Sequence, residues 1–299
     1  MSNHTTRPRL PTPAGACDSH FHIYDRSRPT LPDAPMPVLS GALEDYQRLQ
    51  KRLGLSRAVV VHLSTQYGHD HSIALHAMKV LGGHDKGHDN ARGIAIIAED
   101  TSDAEIERLH KAGMRGIRFA GVTGATPYSS LLTMEGVQKL APRIAQYGWH
   151  VQIQQIGNLL ADIEPVLSTL PCDIVVDHMG RFPLPVEPGN RHWAALRKLL
   201  DGGRCWVKLS AAYHGSKVGP PTYADNEALA WELITAAPER MVWGTNWPHP
   251  PIRENLPDEA HMLDLLSDWT PDEATRQRIL VDNPEKLYGF PKQRPQPAA

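Results

Sequence analysis

Two histidines near the amino terminus have the spacing of paired catalytic or metal-binding side chains. His20 and His22 lie in the stretch Asp18-Ser19-His20-Phe21-His22, which follows an apolar beginning. Side chains two positions apart on a strand point to the same side, so both imidazoles can converge on one ligand. Such a pair can hold a metal ion or polarise a carbonyl group. The alternative is a pair of surface histidines in a chain that contains 16 histidines.

A third histidine and an arginine follow other apolar runs. His178 comes directly after Ile174–Asp177. Alone it is typical of a hydrogen-bonded core histidine, but the first two histidines make a functional role the better interpretation. Arg118 stands near the end of Arg115–Phe119. Its guanidinium group suits a substrate carboxylate, and the alternative is an ion pair with an acid such as Glu99.

The elements that must position these side chains alternate between short apolar runs and helical stretches. Runs rich in Val and Ile, apolar on both faces, are typical of parallel strands buried on each side. Eight strands are predicted: Ala16–Tyr24, Ala58–Leu63, Gly93–Ala98, Gly116–Phe119, His150–Gln154, Asp173–Asp177, Cys205–Leu209 and Met241–Gly244. The predicted helices are Leu43–Leu53, Ser102–Ala112, Thr133–Tyr147, Asn158–Leu170, His192–Leu200, Asn226–Ala236, Glu259–Trp269 and Asp272–Leu280. Gly54 ends the first helix, and Ser102 with Glu105 forms a capping box.

Eight strand–helix units in 299 residues predict an α/β fold, a single-domain (β/α)8 TIM barrel over residues 15–292. A doubly wound open sheet is the alternative. Its nucleotide-binding forms have no support, because the sequence lacks GxGxxG after the first strand and lacks GxxxxGK[ST] altogether. Residues 1–14 are predicted to be a flexible amino-terminal segment, and residues 293–299 a frayed tail.

Composition excludes several classes of protein. Hydrophobic residues at 41% and charged residues at 21% exclude disorder. A net charge of −2 gives no broad basic surface for nucleic acid or an anionic membrane, and no stretch reaches membrane-spanning length. Cys17, Cys172 and Cys205 are expected to be buried free thiols of a reducing compartment. We expect a cytoplasmic protein with a small-molecule partner, and its oligomeric state stays open.

In a TIM barrel the active site lies at the carboxyl ends of the strands. Polar side chains are predicted there on all eight strands, and they converge on one mouth. They are His20 and His22, His62 or Ser64, Glu99, Arg118, Gln154, His178, Lys208 or Ser210, and Asn246.

Three motifs together resemble the amidohydrolase superfamily. They are the DxHxH of the first strand, Asp177-His178-Met179-Gly180-Arg181, and Trp243-Gly244-Thr245-Asn246-Trp247-Pro248-His249. The pattern is most similar to the lactone-processing branch related to 2-pyrone-4,6-dicarboxylate lactonase. Within that branch it resembles the D-galactarolactone isomerase subgroup. The resemblance runs from about residue 15 to residue 290 and implies a (β/α)8 barrel.

Departures from the superfamily pattern bear on the metal. Metal-dependent members typically carry a lysine or glutamate on the fourth strand, a histidine on the fifth and an aspartate on the eighth. This chain has Arg118, Gln154 and Asn246 there. With no carboxylate ligand left and a cation in one ligand position, we expect no metal and no cofactor, as the lactonase branch implies. A zinc ion held by three histidines is the alternative.

The resemblance also implies roles in catalysis. His20, His22 and His178 would donate hydrogen bonds to the oxyanion that forms on the lactone carbonyl. Asn246 replaces the aspartate that activates water in the lactonases, and an amide cannot accept a proton. Three explanations remain open: His178 or His249 is the base, the reaction needs no activated water, or an aspartate has been replaced on purpose.

One carboxylate and several hydroxyl groups on the substrate fit this chain better than two carboxylates. The loops Gly121–Thr126 and Tyr213–Lys217 lack the arginines with which the pyrone-dicarboxylate lactonase grips its substrate. Substrate binding is therefore assigned to a mixed polar set: Ser64, Arg118, Gln154, Arg181, Tyr213 and His249.

The sequence thus predicts a metal-independent lactonase or lactone isomerase that acts on an aldaro- or uronolactone, by acyl transfer to a substrate hydroxyl or to water. Alternatives within the superfamily are a 2-pyrone-4,6-dicarboxylate-type lactonase and a metal-dependent hydrolase or decarboxylase. An alternative of another class is an inactive barrel that only binds a ligand.

Overall fold

Eight parallel strands form the centre of the molecule and pair in chain order. The computed structural model describes residues 5–32, 34, 41–82, 89–120, 132–154, 157, 159–250, 252, 254–270 and 272–292. The strands are β1 (Cys17–Phe21), β2 (Arg57–Val61), β3 (Ala91–Ala95), β4 (Met114–Phe119), β5 (His150–Ile153), β6 (Ile174–Val176), β7 (Cys205–Leu209) and β8 (Met241–Trp243). Beyond β8, Phe21 bridges Trp247, and the His22 amide donates to the Trp247 carbonyl at 2.8 Å. The predicted TIM barrel is confirmed.

Helices cover the outside of the strands. They are α1 (Leu43–Leu53), α2 (Ser64–Tyr67), α3 (Ser72–Val80), α4 (Asp103–Lys111), α5 (Met134–Ala145), α6 (Leu160–Leu167), α7 (Arg191–Asp201), α8 (Glu227–Ala236), α9 (Glu259–Trp269), α10 (Glu273–Gln277) and α11 (Asn283–Tyr288). The bounds predicted for α1 and α9 are confirmed. Gly54 ends α1 in the left-handed region, and Ser102 caps α4 by accepting from the Glu105 amide. The sequence analysis missed α3, which begins without a capping side chain.

The last predicted helix is part of a longer helical run. A π-helical turn over Arg278–Asp282 connects α10 to α11, and Pro284 occupies the first turn of α11, where no amide donor is needed. Leu287, Tyr288 and Phe290 then pack with apolar side chains of the barrel interior. The guanidinium groups of Arg57 and Arg92, near the starts of their strands, lie over the Phe290 ring. The carboxyl-terminal helix thus closes the end of the barrel opposite to the strand ends that carry the predicted site.

The amino-terminal segment lies along the outer helices. Its contacts include a hydrogen bond from Thr12 to the Leu53 carbonyl at 2.5 Å, an ion pair of Arg9 with Asp268, and a hydrogen bond from Arg276 to the Pro11 carbonyl. The flexibility predicted for residues 1–14 stays a prediction, and the predicted tail 293–299 and the loop Gly121–Thr126 lie outside the described residues. None of the helices in the described ranges has the length and apolar character needed to cross a membrane.

Candidate active site

A bulge in β1 aims the first two histidines into the barrel. Asp18 pairs with Ala58, but Phe21 pairs with Val60, so β1 has one more residue than β2 over this span. In a regular strand Asp18 and His20 would lie on the same face. Because of the extra residue, Asp18 faces outward, where it bonds to the Tyr46 hydroxyl of α1, and His20 points into the barrel. His20 Nε2 and His22 Nε2 lie 3.2 Å apart. The predicted convergence of the two rings is therefore present.

The protonated nitrogens of these rings follow from their partners. His22 Nδ1 lies 2.8 Å from the Val61 carbonyl, which can only accept, so Nδ1 carries the proton. Burial lowers the pKa of His22 to about 3, so the ring is neutral and its Nε2 has a lone pair. His20 must then donate from Nε2 to His22 and accept at Nδ1. In this state His22 is an acceptor, and the donation to an oxyanion predicted for it is not available.

Asp177 is the carboxylate at the centre of the site, and it was not among the predicted site residues. Arg118 donates from Nε and Nη2 to Asp177 Oδ2 at 3.1 and 3.0 Å. Asp177 Oδ1 lies 3.3 Å from His20 Nδ1 and has no hydrogen bond within the described part of the chain. Burial alone would raise the pKa of Asp177, but the charges of Lys208 and Arg118 hold it well below its usual value. The expectation that no carboxylate ligand is left was wrong, because Asp177 lies with His20 and His178 within the spacing of metal ligands.

Lys208 joins the strands beneath His20. Its ammonium group has three donors and three acceptors: Gln152 Oε1 at 2.7 Å, the Ser19 carbonyl at 3.0 Å and His20 Nδ1 at 3.3 Å. Burial lowers the pKa of Lys208 to about 8, which still leaves it charged at neutral pH. Gln152, not the predicted Gln154, supplies the amide of β5: it also donates to Asp177 at 3.0 Å. Gln154 follows the end of β5 and is half-buried.

His178 begins a left-handed turn after β6. His178, Met179, Gly180 and Arg181 all have positive φ, a conformation that costs energy for the three that are not glycine. His178 Nδ1 lies 2.8 Å from the Ser210 hydroxyl, so Ser210 as well as Lys208 contributes from the end of β7. Burial lowers the pKa of His178, which is therefore neutral, and its ring centre is 4.7 Å from that of His20.

A second hydrogen-bonded chain runs along the β7 and β8 side of the mouth. Asn246 Nδ2 donates to the Tyr213 hydroxyl at 2.7 Å, and this hydroxyl lies 3.2 Å from His249 Nδ1. His249 Nε2 lies 3.3 Å from Glu259 Oε1, at the start of α9. The ring centres of His178 and His214 are 5.2 Å apart, and those of His214 and Tyr213 4.9 Å. The chain therefore adjoins the histidine cluster.

Asp18 links β1 to the segment that follows β8. It accepts hydrogen bonds from the amide and hydroxyl of Thr245, from the His20 amide and from the Tyr46 hydroxyl. The Asn246 amide donates to the His20 carbonyl at 2.7 Å. A Cβ atom on Gly244 would stand 2.7 Å from the His20 amide nitrogen, so this approach requires glycine. Asp18 thus positions His20 and Asn246 without facing the site.

The remaining predicted residues differ in where they lie. Arg181 is half-buried, close enough to Arg118, Asp177 and Tyr213 to interact with their charges, and no ion pair to it occurs among the described residues. Ser64 is buried at the start of α2. His62 and Glu99 follow their strands as predicted, and a role of either in the site stays a prediction. His62 is held by the Gly68 carbonyl at 2.7 Å, and Glu99 is exposed and pairs with Lys139.

The donor set was tested for a metal ion. Ligand atoms of His20, Asp177 and His178 lie within 4.8 Å of one another. However, Arg118 and Lys208 face the same carboxylate, at 3.0 and 3.6 Å. Two cations already surround one carboxylate, and a divalent cation among them would be repelled by both. The residues do not fit a resident metal ion, and metal independence stays a prediction.

The chain is similar to known proteins over nearly its whole length. The D-galactarolactone isomerase of Agrobacterium fabrum is 35% identical over 288 residues, which cover 95% of this chain and 94% of that protein. The 2-pyrone-4,6-dicarboxylate hydrolase of Comamonas testosteroni is 31% identical over 293 residues, 95% and 93% of the two chains. A ligand-free crystal structure of an Agrobacterium tumefaciens protein, 33% identical, has a TM-score of 0.83 over 95% of this chain and 99% of that one.

These likenesses confirm the resemblance that the three motifs predicted. The amidohydrolase family model matches residues 17–290, which contain every element from β1 to α11. The chain is a member of the amidohydrolase family.

Proposed function

We propose that this enzyme acts on the lactone of a carboxylated sugar, an aldaro- or uronolactone, and does so without a metal ion. It transfers the acyl group to another hydroxyl of the same substrate, or to water. Two relatives named for a lactone isomerase and a pyrone-dicarboxylate hydrolase support a lactone substrate, since each aligns with about 95% of this chain. The carboxylate on the substrate, the metal-free reaction and the choice of acceptor are proposed from the residues at the mouth of the barrel.

The surroundings of Arg181 are the main support for the proposal. Arg181 is a half-buried cation at the mouth with no counter-ion in direct contact among the described residues, since the nearby Asp177 is paired with Arg118, and it lies near Tyr213 and His214. A substrate carboxylate would supply that counter-ion through two parallel hydrogen bonds. Arg118 already holds Asp177, so the carboxylate role predicted for Arg118 passes to Arg181.

One neutral histidine, His178, and buried cations would stabilise the oxyanion, because the donor of His20 is directed to His22 and His22 accepts. With Ser210 as the donor to His178 Nδ1, the Nε2–H of His178 would be available for the lactone oxygen. The two positive charges of Lys208 and Arg118 outnumber the negative charge of Asp177 by one, and this net positive charge favours an anionic transition state. The same excess of positive charge makes a metal-free reaction the better proposal.

Asn246 favours isomerisation over hydrolysis. Its amide orients a hydroxyl group but cannot take a proton. A hydroxyl of the substrate is tethered to the lactone carbonyl and reacts at a high effective concentration, whereas a water molecule needs stronger activation. The unpaired, buried thiols Cys17, Cys172 and Cys205 agree with the cytoplasmic location that we propose.

Proton NMR of the enzyme with a panel of aldaro- and uronolactones tests the proposal. We expect one lactone to be converted to a ring isomer faster than to the open acid, with activity unchanged after chelation and well under one equivalent of zinc or manganese in the protein. If no lactone in the panel reacts while its binding raises the Tm, the chain is a ligand-binding barrel instead. A stoichiometric metal whose removal abolishes turnover would refute the metal-free reaction.

A further inference from the structure

We infer that Tyr213, His249 and Glu259 form a proton relay that takes the proton from the attacking hydroxyl and returns it to the leaving oxygen of the lactone. The inference rests on the proposed function and supplies the base that Asn246 cannot be. Tyr213 would be the catalytic residue, because its hydroxyl contacts the reacting oxygen. His249 and Glu259 would act through it.

The direction of each hydrogen bond follows from the donors available. The amide of Asn246 donates to the Tyr213 oxygen, so the phenolic proton is directed to His249 Nδ1. The other ring nitrogen, Nε2, then carries a proton and donates to Glu259 Oε1. Glu259 can only accept, and its second oxygen is bound by Arg52. All three side chains are therefore arranged for one proton to move towards His249.

The surroundings of Glu259 keep it ionised. Burial by itself raises the pKa of this carboxyl, but the hydrogen bond from His249 and the charge of Arg52 bring it below its usual value. Glu259 is also the first residue of α9, where the helix dipole favours a negative charge. The groups that face His249 are Tyr213, His214 and Glu259, with Arg52 beyond the carboxylate. Among these, Glu259 is the group that stabilises a protonated imidazole.

The relay balances protons in both halves of an isomerisation. The substrate hydroxyl gives its proton to the Tyr213 oxygen as the phenolic proton passes to His249 Nδ1, and the substrate oxygen bonds to the lactone carbonyl carbon. When the tetrahedral intermediate collapses, the bond to the original ring oxygen breaks and the same proton returns through Tyr213 to that oxygen. Burial raises the pKa of Tyr213, so both protons must move together instead of through a free phenolate.

An asparagine at position 246 fits this scheme better than an aspartate. A carboxylate there would accept the phenolic proton of Tyr213 and turn it away from His249. The amide nitrogen, 2.7 Å from the hydroxyl, does the opposite. Asn246 is also in the left-handed region at φ 55°, which asparagine adopts more readily than most residues.

Kinetics of the full-length enzyme on its best lactone test the relay. We expect Tyr213→Phe and His249→Asn each to lower kcat by about 100-fold or more with little change in KM. The double variant should be no slower than the worse single variant, because the two groups act as a unit. Glu259→Gln should lower kcat about 10-fold at unchanged KM, and Glu259→Asp should recover part of it. The matched control is Glu164→Gln, a buried carboxylate of α6 bonded to Ser168 and Lys198.

Nitrogen-15 NMR of the free enzyme gives a second measurement that needs no turnover. The His249 signals, assigned by comparison with His249→Asn, should show the proton on Nε2. A proton on Nδ1 would overturn the relay, as would Tyr213→Phe with more than a third of the native kcat, or losses that multiply in the double variant. In those cases the proposed function stands if the native enzyme isomerises a lactone. If the native enzyme turns over no lactone, the proposed function fails and the relay fails with it.

Discussion

At the residue scale, the chemistry of this site depends on which nitrogens carry protons. The Val61 carbonyl determines the tautomer of His22, and His22 in turn determines that of His20. The ammonium of Lys208 then occupies the remaining nitrogen of His20. Three neighbouring groups are thereby fixed by one backbone carbonyl at the end of β2, and none of them needs a metal ion to be held in place.

A substitution at Arg181 tests the recognition of the carboxylate. Arg181→Gln should lower kcat/KM for a carboxylated lactone by about 10- to 100-fold, the value of a charge-assisted hydrogen bond of about 1.5–3 kcal/mol. A lactone of the same ring without the carboxylate should be unaffected, because Arg181 has nothing to pair with there. Arg204→Gln, at an exposed position before β7, is the control. Equal losses on both lactones would mean that Arg181 supports the loop instead.

Asn246→Asp tests the balance between isomerisation and hydrolysis. The change is nearly isosteric, so we expect the fold to be kept. The new carboxylate can activate water and also takes the Tyr213 proton away from His249, so isomerisation should slow while the share of open acid rises, with an acidic limb in the pH profile. The ratio of isomer to open acid is measured by NMR across pH. A ratio unchanged from that of the native enzyme would show that position 246 does not face the nucleophile.

Part of this site could be predicted from residue types and part could not. His20, His22, His178 and Asn246 stand out because polar groups follow apolar runs. Asp177 also follows such a run, and alternation with the interior Val175 turns it into the barrel, whereas the inward direction of the next residue, His178, depends on its left-handed conformation. Glu259 is ten residues after His249 and belongs to the first turn of α9, and no periodic pattern in the sequence shows that this turn folds back onto His249.

At the scale of elements, the site depends on the junction of β1 with the segment after β8. The apolar runs were sufficient to locate all eight strands within a few residues. The bulge between Asp18 and Phe21 was not predictable, because strict alternation puts Asp18 and His20 on one face. The bulge places Asp18 outside, where it binds Thr245, and His20 inside, where it binds Lys208.

Two substitutions of Asp18 should differ in cost. Asp18→Ala leaves two backbone amides and two hydroxyl groups without their acceptor, so we expect a loss of about 3–5 kcal/mol in the free energy of unfolding and a large loss of activity. Asp18→Asn keeps one oxygen for the amides of His20 and Thr245, and the hydroxyls of Thr245 and Tyr46 can turn to accept from its amide. We expect it to cost about 1 kcal/mol or less. Urea unfolding measures both, and equal losses in the two variants would contradict this account of the junction.

At the scale of the whole molecule, the barrel contains several buried histidines that are neutral. Seven histidine side chains are at most 6% exposed: His249 of the relay, and His20, His22, His62, His71, His150 and His178. Burial lowers the pKa of His22, His62 and His150 to about 3 and of His71 to about 4. It also lowers the pKa of His20 and His178 well below 6.5. Folding therefore depends on keeping these rings unprotonated.

This burial predicts early acid unfolding. In the unfolded chain each histidine binds a proton with an ordinary pKa near 6.5, so the folded state binds fewer protons at any pH below that value and loses stability as the pH falls. At pH 5.5 the loss is about 1.4 kcal/mol for each ring whose pKa is lowered to about 3 or 4, and about 6 kcal/mol for these four rings, against a total of about 5–15 kcal/mol for a typical domain. Asp18, whose pKa burial raises to about 6, works in the opposite direction and offsets only about 1 kcal/mol of this.

We therefore expect cooperative unfolding between about pH 6 and pH 5, where most carboxylates are still ionised. Near-UV circular dichroism and the fluorescence of the seven tryptophans report the transition. The slope of the unfolding free energy against pH counts the protons taken up, and it should approach about 1.4 kcal/mol per pH unit for each buried ring. His71→Gln removes one titrating ring that lies outside the site. It should lower this slope by about 1.4 kcal/mol per pH unit, which corresponds to one proton. A native near-UV spectrum at pH 4.5 would show that the rings are not held neutral by the fold.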